Sequence, residues 1–401
     1  MKTSTSKRLR WNIAIWLAAG LFMTSASGMA AGPIMPDPKA EARHQPQVEE
    51  TANGIPLVNI TAPSSGGVSR NEYETFNVPD KGAILNNSYT LSKTELAGYV
   101  QGNNNMAERP AKIIVNEVTG AGPTSMDGFL EVAGNRADVV IANPNGITVN
   151  GGGFINTGKA FLTTGKPVYD GEDHLQRFDI TGGDILIEGK GLGGKETGSL
   201  AILSRAVKIN AGIWAKDLHI TTGANTVDAK TLEASAIEGK GGHPAFALDT
   251  AAIGGMYAGR ITLVGTEKGL GVNNSGTWSA EDNLTLDWNG DLKNSGTIYS
   301  KGNTDLRTSR LENDKTIAAE RNLSAAAKEN IRNQGKLLAG ENMDIYAGKT
   351  LDNAGHAMES GNNLSIETGD TVNNAAGTIK SGGSQQIKAG HASVSYTHLR
   401  A

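Results

Sequence analysis

Side chains able to do chemistry are sparse in this sequence and form no familiar catalytic constellation. Seven histidines (His44, His174, His219, His243, His356, His391 and His398) are scattered without i, i+4 pairing or cysteine partners, so no metal site is indicated. Gly189-Lys190-Gly191-Leu192-Gly193-Gly194 has the G-x-G-x-x-G spacing that lets a backbone approach a pyrophosphate. The following Glu196-Thr197-Gly198-Ser199-Leu200 offers no helix to meet the anion, and the stretch reads as a plain loop. Gly348-Lys349-Thr350 looks like the end of a phosphate loop, but Met343 stands where its first glycine should be. Asp170, Glu172 and Asp173 are the clustered carboxylates that a sugar-cleaving enzyme would need, and they read as a solvated loop. One group has a definite physical role, Asn143-Pro144-Asn145-Gly146 followed by Ile147. Proline presets the first central position of a turn, asparagine tolerates the second, and glycine follows. Such a turn serves as a plain corner of the fold, as a corner that is also recognised by a partner, or as both.

The elements around these residues are set by repetition. Asn274, Asn294, Asn313, Asn333, Asn353 and Asn374 head six near-copies of one pattern about 20 residues long. Two positions before each comes an aliphatic residue (Val272, Leu292, Leu311, Ile331, Leu351, Val372). A second asparagine follows at Asn283, Asn303, Asn322, Asn342 and Asn363, and then a short alternating stretch such as Leu284-Thr285-Leu286. Alternation in twos is strand spacing, and no copy holds enough residues of 3.6 period for a helix. Two strands and two corners per copy predict one coil of an all-β, right-handed parallel β-helix. Stacked coils turn each aliphatic position into a column and each asparagine into a rung of a hydrogen-bonded ladder. Asn-x-Gly at 274–276, 294–296, 333–335 and 353–355 predicts left-handed backbone at the corners. A uniform period predicts about 17 coils between residues 54 and 390.

Composition narrows the function classes. The chain has 401 residues, 52 glycines, no cysteine and a formal charge of −4. That balance argues against nucleic acid as a partner, and the fold must hold without disulfides. Lys2, Lys7, Arg8 and Arg10 precede an apolar run from Trp11 to Met23 and a small-residue stretch ending near Ala31. Residues 1–31 are therefore a signal peptide, too short in its apolar part to span a bilayer. Residues 32–53, rich in Pro, Glu, Gln and Ala, read as a flexible spacer. From 54 to about 250 short strands recur irregularly, as suits an irregular β cap at the amino-terminal end that hides the solenoid's first edge.

The run Asp138-Val139-Val140-Ile141-Ala142-Asn143-Pro144-Asn145-Gly146-Ile147-Thr148 resembles the hallmark of the secretion domain of two-partner-secretion exoproteins, in the filamentous haemagglutinin and contact-dependent-inhibition branch. Flanking stretches resemble it in order: 54–60, 76–78, 114–118, 153–157, 162–167, 204–206 and 223–228. The repeats after 265 are similar to the haemagglutinin repeats of such proteins. Where the family usually carries a second motif, Asn-Pro-Asn-Leu, this chain reads Asn103-Asn104-Asn105-Met106. The missing proline removes a fixed φ, but the asparagines can still make side-chain turns, so the loop is expected to survive. Some relatives have a cysteine pair near here; residues 149–153 have none.

The residues divide the chain into a signal peptide (1–31) and a spacer (32–53), and because residues 393–401 match no earlier copy they read as a non-native tail; the resemblance adds a secretion domain (54–250) and haemagglutinin-type repeats (251–392). It implies a secreted surface protein of a Gram-negative bacterium that passes the periplasm, after the inner-membrane Sec machinery and through an outer-membrane β-barrel transporter. It would form the stalk of an adhesin or toxin carrier, with host-cell or bacterial surface receptors as further partners. Asn143–Ile147 and Asn103–Met106 would be the recognition or folding motifs. No cofactor and no enzymatic activity are expected. The competing reading is a secreted β-helical polysaccharide-degrading enzyme.

Overall fold

The computed structural model describes residues 32–106, 109–391, 394–396 and 399–400, the last two segments by backbone alone. The leader read as a signal peptide, and part of the stretch read as a tail, lie outside the described residues. From Pro56 onward the chain winds as a right-handed parallel β-solenoid with three faces. One regular coil shows the plan: Thr277–Ala280 on the first face, Leu284–Trp288 on the second, Leu292–Asn294 on the third. Each strand pairs in parallel with its equivalent one coil on, so Trp278 lies beside Ile298, Leu286 beside Leu306 and Leu292 beside Leu311. The inward positions are the aliphatic columns: Val272, Leu292, Leu311, Ile331, Leu351 and Val372 are all at most 2% exposed. Alternation of two explains the pattern, because every second side chain meets the same residue of neighbouring coils and the others meet water.

The asparagine ladder forms as expected. Nδ2 of Asn274, Asn294, Asn313, Asn333 and Asn353 donates to Oδ1 of the next rung at 2.7–2.8 Å. These amides are buried, so the ladder satisfies groups that would otherwise be costly. A second ladder has the opposite sense: Nδ2 of Asn322 and Asn342 donates back to Oδ1 of Asn303 and Asn322, each at 2.9 Å.

Three expectations need correction. The Asn-x-Gly corners are not left-handed as a class: of the four glycines named, Gly355 alone has positive φ, at 75°. The other three are required by clearance. A Cβ on Gly276, Gly296 or Gly335 would lie 1.9–2.1 Å from a carbonyl oxygen of the preceding corner. The uniform count of about 17 coils is also too high. Among the described residues the third face has twelve strands, one of them at 394–396, because early coils are lengthened by excursions such as the hairpin Ser92–Thr94 with Gly98–Val100. Residues 32–53 are not a flexible spacer. Ile34–Pro36 pairs antiparallel with Val68–Phe76, and Gln47–Glu50 antiparallel with Pro56–Asn59. These strands occupy the open edge of the first coils, whose unpaired N–H and C=O groups would otherwise invite aggregation. Each anchors by few side chains, Ile34 being 4% exposed and Val48 packing on the core. That is too sparse for an alternating pattern.

A second layer covers part of the outside. Lys166–Tyr169, Leu175–Ile180, Asn225–Asp228 and Ala234–Ala236 form an antiparallel sheet whose Phe178, Ile180 and Val227 pack on Val115, Val140, Phe161 and Leu203. The solenoid strands beneath are therefore buried on both sides. Val139 and Ile141 face the inner core, while Val140 and Ala142 face the outer one. This explains why 139–142 is continuously apolar while Leu284–Trp288 alternates.

On the same outward side, His219 lies between Ala201 and Thr262. Its Nε2 is 2.8 Å from Thr221 Oγ1. Burial pushes its pKa from 6.5 down to about 4. The unfolded chain then binds more protons than the folded one between those values. The ring's contribution is complete above pH 6.5 and is lost as pH falls through 4, by about 3 kcal/mol. His219→Gln is expected to lessen acid destabilisation across that window relative to wild type, in urea melts at stepped pH. Parallel pH profiles for the two proteins would contradict this.

Candidate functional site

The hallmark turn sits between the strands Ala137–Ala142 on the second face and Ile147–Val149 on the third. Asn143 is fully buried, while Pro144 and Asn145 are exposed. The backbone N–H of Gly146 donates to the Asn143 carbonyl at 3.1 Å, closing the turn. Asn143 Oδ1 accepts from the Asn145 N–H at 2.9 Å, an Asx turn laid over the first. Asn143 Nδ2 reaches back one coil, donating to the Gly122 carbonyl and to Thr124 Oγ1, both at 3.0 Å. Asn145 Nδ2 donates to the Gly120 carbonyl at 2.7 Å. Gly146 has φ 111°, and a Cβ there would stand 3.0 Å from the Asp184 carbonyl oxygen of the next coil. Ile147, 1% exposed, pairs with Thr124 and Ile185 on either side. The motif is thus a corner wedged between the corners before and after it.

Asn103-Asn104-Asn105-Met106 builds the same turn without proline. The Met106 N–H donates to the Asn103 carbonyl at 3.1 Å, and Asn103 Oδ1 accepts from the Asn105 N–H at 2.9 Å. Asn103 Nδ2 donates to the carbonyls of Ile60 and Asn86 at 2.8 and 3.0 Å. Asn105 Nδ2 reaches the Ile60 and Asn59 carbonyls at 3.2 and 3.4 Å, longer than its counterpart in the other turn. Asn104 is exposed and Met106 is buried. Side-chain hydrogen bonds hold what proline would have preset. The two turns are not brought together: one leads from the first face into Ile113–Val118 of the second, the other from the second to the third.

Several anchoring residues escaped the sequence reading. Arg205, 4% exposed, donates through Nε and Nη2 to both carboxylate oxygens of Glu267 at 3.1 and 2.8 Å. Its Nη1 donates to the Lys240 carbonyl at 2.7 Å. The pair holds the loop around residue 240 on the coil, and Arg205 holds the Glu267 carboxyl below its ordinary range. Asp173, read as part of a solvated loop, accepts from Arg43 Nη1 at 2.7 Å and ties the outer sheet to the amino-terminal cap. Nearby, the Arg70 guanidinium lies 4.5 Å from the Tyr169 ring centroid, with Glu72 at 2.8 Å and Glu117 at 3.4 Å. Burial raises the Glu117 carboxyl despite Arg70. Glu131 lines a groove of about 1090 Å³ beside the hairpin. Its two oxygens accept the backbone N–H groups of Glu95 and Leu96 at 2.7 and 2.9 Å, which makes it the hairpin's anchor. Gly189-Lys190-Gly191 is a corner leading into the strand Leu192–Gly194. Gly191 has φ 80°, and a Cβ there would lie 2.2 Å from the Gly212 carbonyl oxygen, so left-handed backbone and coil stacking both account for that glycine.

Residues 33–299 match the TPS secretion domain family. The chain is 42% identical over 311 residues to "Toxin CdiA" of Yersinia pestis, covering 72% of this chain and 9% of that protein. It is 40% identical over 334 residues to "16S rRNA endonuclease CdiA" of Enterobacter cloacae, covering 76% of this chain and 10% of the relative. The chain therefore spans about a tenth of the length of these curated relatives. The crystal structure of the filamentous haemagglutinin secretion domain is similar in fold, with a TM-score of 0.59 at 26% identity, covering 89% of this chain and all of that one. A family match over most of the chain, a shared solenoid and the two asparagine turns lead to one conclusion: the chain belongs to the two-partner-secretion exoproteins, the secreted surface proteins of Gram-negative bacteria that include filamentous haemagglutinin and the CdiA toxins.

Proposed function

We propose that this chain is the export and stalk segment of a larger surface protein, an adhesin or a toxin carrier, and that it works by binding and scaffolding rather than catalysis. After Sec-dependent passage of the inner membrane, a pore-forming outer-membrane β-barrel partner recognises the region from 54 to about 250 while it is unfolded. The chain threads the pore, which the lack of cysteine permits. Outside, coil folds upon coil, and growth of the solenoid opposes back-sliding without nucleotide energy. What the stalk holds out then meets host-cell or bacterial surface receptors.

The observation that carries this reading is the direction of the inner ladder. Each asparagine from Asn274 to Asn353 donates forward into the following coil. From Asn294 onward a carbonyl of the same coil also accepts from each amide, so a freshly folded end presents an amide only part of whose bonding is met until the next coil adds its Asn Oδ1. An unmet buried donor costs about 1–3 kcal/mol. The amino-terminal coils, closed by their antiparallel cap, supply the first template. The test is export from cells carrying the partner transporter. A chain lacking residues 54–250 is expected to stay in the periplasm with its leader removed. Equal extracellular amounts of the shortened and full chains would overturn the assignment of that region.

A further inference from the structure

The first face carries an outward line of aromatic rings that no part of the export reading uses. Following the strand register, Phe129 lies beside Gly153, Gly153 beside Gly193, and Gly193 beside Trp214. Trp214 then lies beside Tyr257, Tyr257 beside Ser279, and Ser279 beside Tyr299. The inward neighbours Leu130, Ile213, Met256 and Trp278 are all buried, so this column points to solvent. Phe129 and Tyr257 are 42% and 40% exposed. The rings have built seats. A Cβ on Gly153 would lie 2.4 Å from the Phe129 ring, one on Gly212 2.4 Å from Trp214, and one on Gly255 2.8 Å from the Tyr257 hydroxyl. Any larger side chain at these three positions would lift a ring off the face. Trp214 and Tyr257 are nearly parallel, 16° apart in plane, with centroids 6.1 Å apart.

We infer that this stripe binds an extended, neutral, equatorially linked glycan laid along the solenoid axis. The inference goes beyond the export function and does not depend on it. Coils repeat at about 4.8 Å, close to the length one pyranose residue adds to such a chain, so successive sugars meet successive coils. Sugars with equatorial substituents present flat C–H faces to aromatic rings and hydroxyls at their edges. The groove of about 620 Å³ at Trp214 and Tyr257 offers Lys195, Lys216, Ser279 and Glu281 for those hydroxyls. Its charges are of both signs, and Glu281 is ion-paired with Lys301, so no polyanion is favoured. An added peptide strand finds no open edge, since the strands holding Trp214 and Tyr257 are paired on both sides. A protein partner would need a broad apolar patch, whereas this one is a single ring wide between charged side chains.

Tryptophan fluorescence reads the site directly. Beyond residue 31 the tryptophans are Trp214, Trp278 and Trp288, and the latter two are at most 1% exposed. Titrating the secreted protein with cellohexaose, and separately with chitohexaose, is expected to give a saturable change and to shield Trp214 from acrylamide. Response to one and not the other identifies the sugar. Measured by isothermal titration calorimetry, because the variant lacks the reporting tryptophan, Trp214→Ala with Tyr257→Ala is expected to weaken binding at least about tenfold, while Tyr346→Ala, an exposed tyrosine on the second face, leaves it unchanged. Should the double variant melt early, acrylamide shielding in the unaltered protein decides alone. No saturable change with either sugar, equal binding by the double variant, or a response to single-stranded DNA instead would overturn the inference.

Discussion

Replacing Ile331 by aspartate is expected to unravel the solenoid around residues 311–351. Ile331 is 1% exposed and lies in a column between Leu311 and Leu351, both equally buried. A carboxylate there meets aliphatic groups in the coils above and below. Burying it unpaired, or protonating it to avoid that, costs at least about 4 kcal/mol and forfeits the isoleucine's packing. Each coil is held by its neighbours, so the damage falls on adjacent coils first and leaves the amino-terminal ones folded. Limited proteolysis should open near 311–351 before any other segment, with a lower first melting transition. Asn333→Ala is the milder comparison. It removes the acceptor for Asn313 Nδ2 and the donors to Asn353 Oδ1 and the Ala357 carbonyl. Asn313 Nδ2 keeps the Lys315 and Lys336 carbonyls. The cost should be about 1–3 kcal/mol. Equal melting of wild type and Ile331→Asp would mean that the inward column is misassigned.

Those columns were legible because the same residue type recurs at each coil, so a single sequence shows them several times. The failures have physical causes of another kind. Glycine at positions 276, 296 and 335 signals a need, but not which one, and only the distance to the preceding corner separates clearance from left-handed backbone. An amino-terminal cap was expected, but its antiparallel strands within residues 32–53 were missed because each buries few side chains. The apolar run 139–142 reads as a strand, but its second buried side depends on an outer sheet formed by segments up to 236. Arg205 and Glu267 are 62 residues apart, and Arg43 and Asp173 are 130 apart, so nothing local links either pair. The aromatic line falls at Phe129, Trp214, Tyr257 and Tyr299 because the early coils differ in length. Its order exists in the register and not in the spacing.

Within the candidate site, the sequence could not separate a plain corner from a recognised one, and the geometry now makes that separable by experiment. Asn143→Ala removes two donors into the preceding coil and the acceptor of the Asx turn. A loss of about 2 kcal/mol lowers the equilibrium constant for forming the turn by roughly thirtyfold. Gly146→Val forces a β-branched residue to φ 111° against the Asp184 carbonyl, with a similar or larger effect. Both variants are expected to accumulate in the periplasm with the leader cleaved, because the signal peptide is a separate address. Asn103→Ala should behave alike, since Asn103 holds the equivalent bonds. The discriminating position is Pro144, which is exposed and carries no donor. If the corner only folds, Pro144→Ala exports normally and buried Asn143 alone matters. If the partner reads the corner, Pro144→Ala lowers extracellular protein while the melting of purified chain stays within a few degrees of wild type. Our reading of a corner that is also recognised requires the second result. Normal export of Pro144→Ala together with a defect in Asn143→Ala would reduce the motif to a structural turn and move recognition elsewhere in the domain.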